Sequence, residues 1–224
     1  SVLISVSASL KQTMEKTPGI RKDALVIPNG IDLKQMQLRD KRPILSKLVY
    51  VGYLIQPKGI QFLLQAMVLC SDNGLDFSLD IIGSGDYLPV LQSLASELGI
   101  QDRIRFLGLY TADQVRSSLS NYDLLVLPSL LESFGLVLIE AMASGLPVLS
   151  TFSGGPESIV TETTGLLVEP GSAPALAQGL TELSQRWMSF EPAAIREECR
   201  ERFAIEKTCS SLVEVFKSVT GNHE

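Results

Sequence analysis

The run Pro128-Ser129-Leu130-Leu131-Glu132-Ser133-Phe134-Gly135, continuing as Leu136-Val137-Leu138-Ile139-Glu140-Ala141-Met142-Ala143-Ser144-Gly145, decides the fold. It begins where a short apolar extended segment (123–127) ends. It closes on a glycine placed where a helix should stop. A strand, a loop and then a helix put the Gly135 region at a helix N-terminus, where free N–H groups and the positive end of the dipole point outward. Such an end takes a phosphate or another anion readily. Glu132 lies in the loop before it, and Glu140 about one and a half turns inside the helix. Two carboxylates beside an anion site make sense if both accept hydrogen bonds from neutral hydroxyls, such as those of a sugar and a ribose. The competing reading makes Glu132 a helix cap and Glu140 an exposed helix residue.

Outward from this run the same alternation repeats. Short apolar segments at 48–51, 77–82, 103–107, 123–127, 147–150 and 165–168 read as parallel strands covered on both faces. Between them Ile60, Leu63, Leu64, Met67 and Val68 follow helical spacing, as do Leu88, Leu91, Ala95 and Leu98 before Gly99. Thr111 and Gln114 have capping-box spacing. The expected architecture is α/β: a Rossmann-like parallel sheet of about six strands with helices on both faces. In such sheets ligands bind beyond the carboxyl ends of the strands. Towards the C-terminus Ser172 and Pro174 open a helix with Leu176, Leu180, Leu183 and Trp187 on one face, and Leu212, Val215, Phe216 and Val219 mark a closing amphipathic helix. Ahead of the sheet come an extended run at 2–6, a helix signal with Ser9 and Gln12 in capping-box spacing, and a second extended run at 24–27 closed by the turn signal Pro28-Asn29-Gly30.

Composition removes several kinds of chemistry. The only histidine among the 224 residues is His223, which leaves no internal Ser-His-Asp, Cys-His or His-metal constellation. Cys70, Cys199 and Cys209 have no metal-ligand spacing and fit a reduced, cytoplasmic setting. No apolar run reaches the length of a membrane span. Nine Lys/Arg against four Asp/Glu fall in residues 1–47, and ten against twenty-one follow. Solvated surface charge is the simpler reading of that asymmetry, and contact with a membrane surface the sharper one. A sequence pI near 5.0 argues against nucleic acid as a partner.

Three further loops fall at strand ends. In Val51-Gly52-Tyr53-Leu54-Ile55-Gln56-Pro57-Lys58-Gly59, Gly52 allows close approach of a ligand or another loop. Lys58 is a mobile cation suited to a diphosphate, or else a surface lysine at a helix start. Gly83-Ser84-Gly85-Asp86 is a glycine turn without the third glycine of a dinucleotide fingerprint. Gly154-Gly155-Pro156-Glu157 opens another loop, where Glu157 also reads as a plain N-terminal helix residue.

In order, Pro28-Asn29-Gly30-Ile31-Asp32, Lys58-Gly59, Ile82-Gly83-Ser84-Gly85, Phe106-Leu107-Gly108, Pro128-Ser129, Glu132-Ser133-Phe134-Gly135 with Glu140-Ala141, Gly154-Gly155-Pro156-Glu157 and Gly165-Leu166-Leu167-Val168 resemble the GT-B-type glycosyltransferases of family 4 (group 1). The resemblance covers nearly the whole chain, and the pair Glu132 and Glu140 is its most specific part. It implies the C-terminal half of a GT-B fold: residues 1–30 as a remnant of the N-terminal acceptor domain, 31–46 as a linker, and 47–224 as a nucleotide-sugar donor domain with C-terminal helices. It implies a sugar transferase, retaining and metal-independent, with a UDP-, GDP- or ADP-sugar as substrate and no cofactor. Lys58 and Glu132 are then the catalytic residues. Gly52, Tyr53, Lys58, Gly83, Leu107, Glu132, Ser133, Phe134, Gly135, Leu136 and Glu140 are the donor-binding ones. Lys58 holds the diphosphate, Glu140 the ribose and Glu132 the sugar, and the loop after Phe106 faces the base. The family usually has arginine where Tyr53 stands. The acceptor half lies outside the chain, so the chain alone is expected not to transfer sugar, and any peripheral membrane contact would run through that half. The rival readings are a nucleotide-sugar binding module without turnover and a GT-B-like sugar-nucleotide epimerase.

Overall fold

A computed structural model of the chain describes residues 2–19 and 24–221; His223 lies outside the described residues. In chain order the elements are β1 (Ile4–Ser5), α1 (Ala8–Lys16), β2 (Leu25–Val26), β3 (Lys47–Val51), α2 (Ile60–Ser71), β4 (Ser78–Ile82), α3 (Leu88–Glu97), β5 (Ile104–Gly108), α4 (Ala112–Ser118), β6 (Leu124–Leu127), α5 (Leu136–Ala143), β7 (Val148–Thr151), β8 (Gly165–Val168), α6 (Ala173–Gln185), α7 (Pro192–Phe203) and α8 (Ile205–Thr220).

The main sheet is six-stranded and parallel, in the order β5-β4-β3-β6-β7-β8. Its strands are apolar at consecutive positions because helices cover both faces. All four residues of β6 and of β7 are buried, as are Leu48, Val49 and Tyr50 of β3. Helix α2 packs on α3 and α6 in one layer, and α5 on α7 in another. The six expected strands all form, with ends shifted by a residue or so, as terminal pairing allows. The Thr111–Gln114 capping box is present on α4, Gly99 follows α3 with φ +68°, and Ser172 caps α6 through the Ala175 N–H.

The chain reverses direction in the sheet between β3 and β6. From β3 the order runs outward through β4 and β5, and the chain then returns to β6 on the other side of β3. β3 and β6 therefore end side by side while the helices after them, α2 and α5, join different layers, the arrangement that places a crevice at this point of the sheet.

Two local expectations are corrected. Helix α1 is capped not by Ser9 but by Ser7, whose hydroxyl accepts from the Leu10 N–H. Ser7 is extended and held by Ser5, so the helix starts earlier than the Ser9–Gln12 spacing suggests. Pro28-Asn29-Gly30 forms no turn. It passes straight beneath α8, where Thr208 Oγ1 donates to the Pro28 carbonyl at 3.1 Å. A Cβ on Gly30 would lie 2.7 Å from the Ile205 Cα, so this glycine serves close approach rather than chain reversal.

Strands β1 and β2 pair in parallel with each other. Residues 31–46 lie on the body of the domain, with Ile31, Met36, Arg39 and Leu45 buried. At the end of the sheet opposite the crevice, Asp123 gathers this segment. Its carboxylate accepts from Arg39 at 3.4 Å, Arg42 at 3.1 Å, and the backbone N–H groups of Ser46 at 3.1 Å and Lys47 at 2.8 Å. The Arg39 guanidinium stacks 5.1 Å from the Trp187 ring centroid. Helix α8 forms where its amphipathic spacing places it, but none of its residues is buried.

Candidate functional site

The crevice is built by three loops tied together through their backbones. The loop after β3 ends in a helical turn, Gln56–Lys58, stopped by Gly59 in the left-handed region at φ +70°. A Cβ at Gly59 would lie 1.9 Å from the Pro128 carbonyl oxygen, so only glycine fits there. The Leu130 N–H then donates to the Pro57 carbonyl at 2.8 Å. The loop after β6 is held in turn by the one after β7: the Glu132 N–H donates to the Ser153 carbonyl at 2.9 Å, and the Gly155 N–H to the Glu132 carbonyl at 2.7 Å. Below, Thr151 Oγ1 donates to the Ser129 carbonyl at 2.5 Å.

This frame brings Lys58 and Glu132 together. Lys58 Nζ donates to Glu132 Oε2 at 2.6 Å. Ser129 Oγ donates to the same oxygen at 3.4 Å. The two side chains are 20% and 15% exposed, so the pair is largely withdrawn from water yet opens into the crevice. The loop continues through exposed Ser133 and buried Phe134, whose ring packs edge-on against Phe203 at 6.2 Å. Phe134 thus anchors the loop and leaves only its backbone to the crevice. Gly135, at φ +94°, turns the chain into α5, with Leu136 half exposed at its first position. The first N–H groups of a helix lack intrahelical partners; here the Leu138 N–H is taken by the Gly135 carbonyl at 2.9 Å, which leaves those of Leu136 and Val137.

Glu140 sits one helical turn further in. Burial raises its pKa, opposed only by the charge of Arg116 on α4. A cavity of about 220 Å³ opens over the ends of β3, β4 and β5, lined among others by Gly52, Tyr53, Gly83, Leu109 and Tyr110, with Lys58, Glu132 and Glu140 outside its lining. It is Gly83 that admits the neighbouring loop, for a Cβ on it would lie 1.9 Å from the Gly52 carbonyl oxygen, whereas a Cβ on Gly52 would meet the Tyr50 hydroxyl at 2.8 Å. Tyr53 is exposed, and its carbonyl is fixed by the Tyr50 hydroxyl at 2.8 Å. Burial, with the charge of Glu132, raises the Tyr50 pKa, so this phenol stays a donor.

Of the residues singled out from sequence, Gly52, Tyr53 and Gly83 line the cavity, Lys58 and Glu132 pair between their loops, and Ser133, Phe134, Gly135 and Leu136 lead from that pair into α5. Leu107 is half-buried against the core and does not line the cavity; Leu109 and Tyr110, just beyond the end of β5, take that place. The rule that ligands lie past strand ends points to them. Glu157 takes the plainer of its two readings, accepting from the Gly154 N–H at 2.9 Å within its own turn. Ser7 could not be found from sequence. Its buried hydroxyl donates to the Ser133 carbonyl at 2.6 Å across 126 positions, which ties the leading segment to the Glu132 loop. Among the described residues no group of three His, Cys, Asp or Glu side chains could hold a metal ion. No helix among them is long and apolar enough to cross a membrane.

Residues 34–204 match the family described as "Glycosyl transferases group 1". The chain belongs to that family. Its relatives among group 1 glycosyltransferases include a D-inositol 3-phosphate glycosyltransferase of Corynebacterium urealyticum, 35% identical over 79% of this chain and 44% of its own length. Another is the N-acetyl-alpha-D-glucosaminyl L-malate synthase of Bacillus anthracis, 30% identical over 97% of this chain and 60% of its own. The chain thus spans about half the length of these relatives. Among solved structures, a sucrose-phosphate synthase from Thermosynechococcus elongatus superposes with TM-score 0.86 at 25% identity, covering 98% of this chain and 58% of that one. Anabaena HepE in complex with UDP and glucose superposes with TM-score 0.87 at 22% identity, covering 97% and 63%. The fold is that of the GT-B glycosyltransferases.

Proposed function

We propose that this chain is the donor-binding half of a group 1 glycosyltransferase, which holds a nucleotide-sugar while a second half outside the chain positions the acceptor. The observation that carries this is the Lys58–Glu132 pair at the sheet's switch point, one loop before the N-terminus of α5. On this reading the base enters the cavity between Tyr53 and Tyr110, and the ribose hydroxyls reach Glu140. The diphosphate lies between Lys58 and the first N–H groups of α5, and the sugar reaches Glu132. Charge that develops on the departing diphosphate is met by Lys58 and the helix terminus, which are already in place. With that charge supplied by the protein, transfer is read as metal-independent, and as retaining by family resemblance. Residues 1–30 act as the edge of the acceptor half, 31–46 as the connection and 47–224 as the donor domain. Three free cysteines, two of them buried, favour a reducing, cytoplasmic compartment.

Titration calorimetry with UDP, GDP and ADP beside UMP, GMP and AMP tests the reading. One diphosphate should bind clearly more tightly than its monophosphate; equal affinities would remove the diphosphate subsite. A second reading, a donor-binding module without turnover, is favoured by Tyr53, a neutral side chain where the family usually carries a second cation. Labelled-donor transfer by a version extended with the other half separates the two.

Glu140→Gln should weaken binding of the ribonucleotide more than that of its 2′,3′-dideoxy analogue, because a neutral amide accepts hydroxyl protons less well than a carboxylate. Because burial raises the Glu140 pKa, wild-type ribonucleotide binding should begin to fall at a pH above the ordinary carboxylate range as the carboxylate takes up its proton. The dideoxy analogue should not show that step. Equal losses for both ligands would take Glu140 away from the ribose.

A further inference from the structure

The Lys58–Glu132 pair is closed on itself. The cation that would receive a diphosphate is already held at 2.6 Å by a carboxylate, with both groups largely shielded from water. A diphosphate that uses Lys58 shares that cation with Glu132 or draws it away, and either way its own negative charge stands beside the carboxylate. The Glu132 backbone is fixed by Ser153 and Gly155, so its loop stays at the crevice when the side-chain contact is disturbed.

We infer that Glu132 makes this site discriminate between an intact donor and the bare nucleoside diphosphate left after transfer, and so drives product release. The inference rests on the donor reading above. An intact donor opens the pair and repairs both halves: its diphosphate takes Lys58, and its sugar hydroxyls donate to Glu132. The bare diphosphate takes Lys58 and leaves Glu132 facing like charge with one partner fewer. A group stripped of a partner in a partly buried site carries part of the desolvation cost of a buried one, and specificity is the difference between the two ligands. The closed pair therefore weakens product binding selectively, while in the empty site it holds Lys58 in one place. Tyr53 fits this arrangement: with no second cation at that position, Lys58 carries more of the diphosphate and its engagement with Glu132 matters more.

The test is calorimetry with whichever of UDP, GDP and ADP binds wild type most tightly, on wild type, E132Q, K58A and the double variant. E132Q should bind the bare diphosphate more tightly than wild type, by roughly three- to tenfold. That gain should shrink in the K58A background, where no pair remains to open and only like-charge repulsion is relieved. With the matching nucleotide-sugar, E132Q should show no such gain, so the preference for donor over product narrows. Unchanged or weaker diphosphate binding by E132Q, or the same gain with and without Lys58, would overturn the inference while leaving the donor reading standing. Absence of diphosphate binding by every form would overturn both. Thermal melts of each variant guard the comparison, since a melt far below wild type would disqualify E132Q in favour of E132A.

Discussion

Asp123→Ala is expected to lower the thermal midpoint by roughly 6–20 °C, the shift that about 3–5 kcal/mol produces in a domain of this size. Asp123 is 1% exposed and Arg39 4%. Burial lowers the Arg39 pKa, and the Asp123 carboxylate opposes that shift. Without the carboxylate, the guanidinium keeps its aromatic neighbour Trp187 but loses its counter-charge. The N–H groups of Ser46 and Lys47, which feed the chain into β3, lose their acceptor at the same time. Because the buried cation is the larger part of the cost, Arg39→Met in the Asp123→Ala background should restore part of the midpoint. A single-variant shift under about 2 °C, measured by calorimetry, would show that the cluster adds little to holding residues 31–46 against the sheet. The site lies at the other end of the strands, so diphosphate affinity measured well below the midpoint should stay within about twofold.

How much of this could be read from the residues depended on range. The six strands and the helices between them were legible because each is a local pattern: β6 is apolar at every position because it is covered twice, and α4 carries both halves of its capping box. The loop Pro128–Gly135 was legible for the same reason, since a strand end and a helix start bracket it. The turn at Pro28-Asn29-Gly30 was misread because the same residues also serve a straight passage beneath another element, and only the position of α8, some 175 residues on, distinguishes the two. Leu107 and Tyr110 show how finely a strand end can be read: the loop after Phe106 is at the cavity, but not at the residue picked. A shift in register between β4 and β5 at Ile81 and Ile82 carries β5 to Gly108, and the cavity-lining positions move to Leu109 and Tyr110. The Lys58–Glu132 contact spans 74 positions and depends on Gly59 lying against Pro128. Their places in strand-end loops mark both residues as candidates, but their pairing comes only from the packing of two loops.

Lys58→Ala should weaken diphosphate binding by about 1.5–3 kcal/mol, or roughly ten- to a hundredfold, the range for a charge-assisted hydrogen bond. The diphosphate loses its cation, and part of that loss is returned because the Lys58–Glu132 contact at 2.6 Å no longer competes for it. Monophosphate binding should fall less if Lys58 reaches only the outer phosphate. Lys58→Arg should not restore full affinity. Its wider planar head must share a space fitted to a point charge between Ser129, Glu132 and the crevice. The variant should still fold, because Gly59 and Pro57 hold the loop through the backbone, and a midpoint lowered by roughly 2–8 °C, the shift for about 1–2 kcal/mol from the unpaired Glu132, is the control. In the protein joined to its other half, the same change should lower the transfer rate at saturating donor, since the charge on the departing diphosphate grows as the bond to the sugar breaks and an interaction strongest at that point acts on kcat. Diphosphate affinity equal to wild type would remove Lys58 from the subsite. Affinity lost with the saturated rate unchanged would make it a binding residue with no part in the chemical step.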